Sequence, residues 1–159
     1  ITILSQREGL AFESPIESDT AALHTLVADM LRATGEIRCL RDPTRGGLSS
    51  SLNEIAGCSR VGIELRESAI PIREEVQGAC EMLGLDPLYV ANEGKLVAIA
   101  GPAGTELLLD TMRRNPLGRD AQIIGTVTEA HAGMVTMRTR LGTSRIVDLL
   151  TGDQLPRIC

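Results

Sequence analysis

Between residues 18 and 34 the apolar positions Leu23, Leu26, Val27, Met30 and Leu31 fall three and four apart, the spacing of one helix face. Ser18 or Asp19 can cap the first turn of this helix, and Gly35 supplies its stop. Leu48, Leu52, Ile55 and Ala56 draw a second stripe, and Ile72, Val76, Cys80 and Leu83 a third that closes at Gly84. A fourth helix is expected from about Ala103 to Arg114, ended by Asn115 and Pro116. Short apolar runs lie between these stripes and read as strands: ITILS at the start, IRCL (37–40), VGIEL (61–65), AQIIGTVTE, GMVTMRT and SRIVDLL. LYVANEGKLVAIAG reads as strand, turn at residues 92–94, and strand. AQIIGTVTE and GMVTMRT are expected to join near residues 131–133 as antiparallel neighbours. Helices interleaved with such strands predict an α/β (α+β) fold, a mixed β-sheet packed with helices and not a doubly wound parallel sheet. Residues 1–150 form the expected domain. Residues 151–159 have no periodicity and read as a flexible tail.

Composition narrows the picture. A chain of 159 residues fits one ordinary domain and can bury roughly 70% of its unfolded surface, so no disulfide or metal staple is needed. One Phe, one Tyr and no Trp leave an aliphatic core and no platform on which bases could stack. The net charge of −5, without a basic run, argues against nucleic acid and against an anionic membrane as partners. No apolar run has the length of a membrane span, and no charged-then-apolar leader opens the sequence. The first residue is Ile and a strand begins at once, so the chain is expected to be a fragment or a processed product. Of the four cysteines, Cys39, Cys58 and Cys80 are expected to be buried, reduced, small hydrophobes. No CxxC pair occurs and neither His24 nor His131 is near a cysteine, so zinc spacing is absent. The expected setting is cytoplasmic and reducing.

Three stretches can carry chemistry. In RDPTRGGLSSSLNEIA (41–56) a strand feeds a loop of Asp42, Thr44, Arg45, Gly46 and Gly47 that runs into a helix N-terminus. Backbone amides, the positive end of a helix dipole, a hydroxyl and a guanidinium would meet there, and two glycines would let an anion approach the backbone. The same residues also suit an ordinary strand-to-helix turn capped by Asp42. In the NEG turn, Glu93 is either a solvated turn residue or a general base aimed from a rigid frame. The third stretch is the tail. Cys159 is either incidental or a mobile thiol, since nine extended residues span at most roughly 30 Å and could carry a sulfur between sites.

DPTRGGL (42–48), VANEGK (90–95), the closing TSRIVDLL and QLPRIC, and the opening ITILSQREGL together resemble the C-terminal half of the hydrogenase maturation factor HypE, the carbamoyl dehydratase. The resemblance covers essentially the whole chain. Its Gly-rich loop is shared with the aminoimidazole ribonucleotide synthetase and selenophosphate synthetase families, whereas PRIC is specific. Membership implies the C-terminal α/β fold of that superfamily and a role in making the cyanide ligands of [NiFe]-hydrogenase iron. It implies that Cys159 carries a carbamoyl group loaded by the carbamoyltransferase HypF. It further implies that ATP activates the carboxamide oxygen, and that the resulting nitrile passes to iron on the HypC–HypD scaffold. Glu93 matches the family's catalytic glutamate and becomes the candidate base. Asp42, Thr44, Arg45, Gly46 and Gly47 would face the nucleotide phosphates or the activated oxygen. The family's N-terminal half, with most of the ATP and Mg site and the homodimer interface, is absent from this sequence, so the chain alone is expected to be inactive. His24 and His131 match no family motif. Two other expectations stay open: a half-domain of a related synthetase acting on a small phosphorylated metabolite, and a non-catalytic docking module for maturation partners.

Overall fold

The computed structural model describes residues 18–149. The strand expected at ITILS and the tail of residues 151–159 lie outside the described residues. Four helices and six strands follow in chain order among the described residues: α1 (His24–Ala33), β1 (Ile37–Arg41), α2 (Gly47–Ser59), β2 (Gly62–Arg66), α3 (Glu74–Leu83), β3 (Val97–Ala100), α4 (Thr105–Arg114), β4 (Gly125–Thr128), β5 (Val135–Arg138) and β6 (Ser144–Ile146).

The strands form two sheets where one was expected. β1 pairs antiparallel with β3, Cys39 opposite Ile99 and Arg41 opposite Val97. The other four strands lie in the order β4-β2-β5-β6, with β2 antiparallel to β4 but parallel to β5. The sheet is mixed, as the pattern predicts, but β4 and β5 are not the neighbours it suggests. Their connection crosses the start of β2 instead of folding back: Gly133 N donates to Val61 O at 2.9 Å, and Ile63 N donates to Met134 O at 3.0 Å. β2 therefore enters between the two strands and takes both edges.

Period-two alternation on β3 joins two aliphatic cores. Val97 and Ile99 pack toward a cluster built from Leu52 and Ala56 of α2, Ile63 and Leu65 of β2, Val135 and Met137 of β5, and Leu88 and Val147. Ala98 and Ala100 pack toward Leu26 and Met30 of α1 and Leu108 of α4. The small sheet is thus a partition, with α1 and α4 on one side and α2 with the larger sheet on the other.

Boundaries set by local chemistry agree with the sequence. α3 closes at Gly84, left-handed at φ 67, where Leu85 N returns to Cys80 O at 2.8 Å. α4 stops before Asn115, whose side chain accepts from Leu117 N at 3.0 Å. α1 differs. It starts at His24, six residues later than expected, and neither Ser18 nor Asp19 caps it. Leu31, assigned to the buried stripe, is 58% exposed. LYV is no strand: residues Pro87–Tyr89 form a single 3-10 turn, with the Asp86 carboxylate accepting from Leu88 N at 2.9 Å. Pro87 fixes the first backbone angle of that turn and removes a donor a strand ladder would use.

Candidate functional site

β1 delivers the chain to the loop of residues 42–46, and α2 begins at Gly47. Arg41 leaves the strand and pairs with Glu54 of α2 at 2.6 Å, which fixes strand end to helix. The cap expected from Asp42 is not made. The position before the helix is Gly46, left-handed at φ 68, and Asp42 is an exposed residue whose backbone carbonyl accepts from Ser51 Oγ at 3.4 Å. Thr44 is half-buried and Arg45 exposed. Gly47 N donates to Thr44 O at 3.0 Å, so the loop closes on itself before the helix begins.

Gly47 is needed for a reason other than anion approach. Its φ is +61°, and a Cβ there would stand 2.5 Å from Leu88 O and 2.6 Å from Val90 O. The missing side chain makes room for the backbone of residues 88–90, which then runs directly into the second motif. Asn92 N donates to Pro43 O at 3.0 Å, and Asn92 Nδ2 to Val90 O at 2.9 Å. Residues 42–47 and 90–95, almost fifty positions apart in sequence, are thereby adjacent in space. Glu93 is exposed beside this junction, on an irregular segment that follows a 3-10 turn and not on the hairpin the sequence suggested.

A third segment, which the sequence did not flag, completes the arrangement. Asp19 Oδ2 accepts from Glu93 N and from Lys95 Nζ, both at 3.3 Å. Gly94 lies flat against the backbone of Asp19 and Ala21, where any Cβ would overlap the Asp19 carbonyl. The sequence treated Asp19 as a helix cap because an acidic residue before an apolar stripe usually is one.

The serine run after the loop was also missed. Ser49 is fully buried and donates through Oγ to Asp148 O at 2.6 Å. Asn53 Nδ2, one turn later, donates to Ser49 O at 3.0 Å and to Val147 O at 2.8 Å. Helix α2, which carries the Gly-rich loop at its start, therefore grips the last described residues before the tail. Cys159 itself lies outside the described residues.

The chemical capacity of the junction follows from its parts. The 13-residue α2 directs the positive end of its dipole at residues 44–47, and the exposed Arg45 adds a cation there. Helix N-termini of this kind favour anions in general. A carboxylate, Glu93, and an ammonium, Lys95, stand on the neighbouring loop. Among the described residues no group of three or more His, Cys, Asp or Glu could hold a metal ion. Two surface hollows of about 420 and 410 Å³ are lined by other residues, Asp29 to Pro116 in one and Arg66 to Gly142 in the other, and neither includes a residue of the two loops. No helix among the described residues is long and apolar enough to cross a membrane.

Only part of the cysteine expectation holds. Cys80 is buried, Cys39 is half-buried and Cys58 is exposed. Cys58 lies two residues beyond the buried Ala56, about 200° around α2, which turns it to solvent. His24 and His131 are both exposed.

Residues 1–138 match the AIR synthase related protein, C-terminal domain. The carbamoyl dehydratase HypE of Azotobacter vinelandii is 62% identical over 159 residues, 100% of this chain and 47% of that protein. The HypE of Escherichia coli K12 is 42% identical over 99% of this chain and 46% of its own length. A crystal structure of hydrogenase maturation protein HypE superposes with a TM-score of 0.93 at 48% identity, covering 99% of this chain and 51% of that one. A HypE in complex with ATP superposes at 0.91 with 47% identity, over 99% of this chain and 48% of that one. The HypE of a HypE–HypF complex superposes at 0.87 with 43% identity, over 93% and 48%. The chain spans about half the length of the curated relatives it matches. It belongs to the AIR synthase related proteins, whose C-terminal domain it contains, and within that family it resembles HypE.

Proposed function

We propose that this chain is the C-terminal half of a carbamoyl dehydratase that converts a thiocarbamate on its own Cys159 into a thiocyanate for the cyanide ligands of [NiFe]-hydrogenase. The observation that supports the reading is the junction of the two loops through Asn92 N and Pro43 O, which brings the loop before α2 next to the segment that carries Glu93 and Lys95. The likeness to proteins named carbamoyl dehydratase, one of them solved with ATP, supports the same assignment.

Dehydrating a primary carboxamide removes one oxygen and two N–H protons. The oxygen is a poor leaving group until it carries a phosphoryl group, which ATP supplies; it then departs as phosphate, and the C≡N bond forms as the protons leave. The chain's own groups divide this work. The α2 N-terminus with Thr44, Arg45, Gly46 and Asp42 around it faces the charge that develops on the activated oxygen and its phosphate. Glu93 takes a proton from the amide nitrogen. Cys159 holds the carbon throughout and carries it from a transferase of the HypF kind to an iron scaffold of the HypC–HypD kind. Magnesium and the dimer contact belong to the half of the protein outside this chain.

The test is the mass of the full-length protein after incubation with carbamoyl phosphate, ATP and the carbamoyltransferase. Gain of one carbamoyl group at Cys159, followed by loss of one water, is the expected course, and Cys159→Ala should remove both steps. Loading that survives Cys159→Ala, or a carboxamide that never loses water, rejects the reading.

A further inference from the structure

We propose that Asp19 is the positioning residue of the candidate base, holding the loop of residues 92–95 in its working place; the inference rests on the reading of Glu93 as that base. Glu93 projects from an irregular segment, so no strand ladder or helix fixes its backbone. Something else must fix it, because a general base has to meet its proton within hydrogen-bond reach. Asn92 anchors the start of the loop to Pro43, leaving residues 93–95 to be held from their other side. Asp19 is what stands there. One carboxylate oxygen receives the Glu93 amide and the Lys95 ammonium together, and the Asp19 backbone fills the space that Gly94 leaves by having no Cβ.

These contacts account for three consecutive residues of the motif at once. The Asp19 oxygen sets the peptide that carries Glu93, the Asp19 carbonyl makes glycine necessary at 94, and its charge keeps Lys95 turned back beside the loop. Both hydrogen bonds are 3.3 Å long.

The experiment measures loading and dehydration separately, by mass, in the full-length protein with its transferase. Asp19→Ala should load at the wild-type rate and convert carboxamide to nitrile about 10- to 100-fold more slowly, the scale of a misplaced reacting group. Asp19→Asn keeps the acceptor for the Glu93 amide and should recover conversion to within a few-fold. Amide hydrogen exchange at residues 92–95 should speed up in Asp19→Ala while α2 and β2 keep their protection, a change confined to the loop. The Asp19 side chain is 37% exposed and lies outside both cores, so the melting temperature should stay within a few degrees. An Asp19→Ala protein that converts at the wild-type rate overturns the proposal, as does a loss that Asn does not restore or exchange at 92–95 that does not change. Glu93→Gln with normal conversion would instead remove the base assignment itself, so the two failures are distinct.

Discussion

Glu93 is set apart by its surroundings from most exposed carboxylates among the described residues. Its amide is bonded to Asp19, its neighbour Asn92 is bonded to Pro43, and the start of α2 lies alongside. Glu93→Gln keeps this shape and removes the proton acceptor. In the full-length protein the variant should take up the carbamoyl group normally and convert it about 10²- to 10⁴-fold more slowly. The check is a time course of carboxamide and nitrile masses, and normal conversion would reduce Glu93 to a turn residue. The cysteines carry a second prediction at this scale. Burial pushes the Cys80 thiol up, whereas Cys58 is open to solvent. A maleimide should label Cys58 within minutes at neutral pH and reach Cys80 only on unfolding. Because the folded chain holds the Cys80 proton more tightly than the unfolded chain does, this group leaves stability unchanged below about pH 9 and lowers it as pH rises further. Melts between neutral and alkaline pH should fall less steeply for Cys80→Ala than for wild type.

At the scale of elements, α2 connects most of what matters. Its start is the Gly-rich loop, its Leu52 and Ala56 enter the larger core, and its Ser49 and Asn53 hold the carbonyls of Asp148 and Val147. Asn53→Ala should cost about 1–3 kcal/mol, since Val147 O and Ser49 O lose a donor in a half-buried place. Urea denaturation measures it, and a change below about 0.5 kcal/mol would mean water replaces the amide without loss. How much of this was legible depends on the range of the interaction. Gly84 and Asn115 end their helices through contacts within a few residues, so their roles could be read directly. The aliphatic stripe of α2 was legible for the same reason, and that of α3 from Val76 onward, whereas Ile72 lies before the helix and is exposed. β2 slipping between β4 and β5 was not, because pairing across sixty residues leaves no mark in a window of ten. The site divides in the same way. The two segments were visible as the local motifs DPTRGG and NEG, though NEG is no hairpin turn, but Asp19 meets Glu93 across 74 positions and Ser49 meets Asp148 across 99. Nothing near Asp19 distinguishes it from a helix cap.

For the whole molecule, the relevant fact is that the two loops meet at one junction where Asp42, Arg45, Glu93 and Lys95 are exposed. On the proposed reading, a nucleotide approaching this chain alone would meet one wall of a site: helix-terminal amides, Thr44 and Arg45. Three or four charge-assisted hydrogen bonds are worth about 1.5–3 kcal/mol each, or about 5–12 kcal/mol together. Association costs about 4–15 kcal/mol in lost freedom, which at the middle of both ranges exceeds the gain. The net charge of −5 adds a further repulsion toward a polyanion, and no cluster of three or more acidic or histidine ligands among the described residues gathers a cation to offset it. The isolated 159-residue chain should therefore bind ATP no more tightly than about millimolar, while the full-length protein, which on the proposed reading supplies an opposing wall, should bind at least about a hundredfold more tightly. Titration calorimetry on both proteins, with magnesium present, decides the matter. Micromolar binding to the isolated chain would mean that the junction of residues 42–47 and 90–95 is a complete nucleotide site, and that the other half contributes something other than ATP affinity.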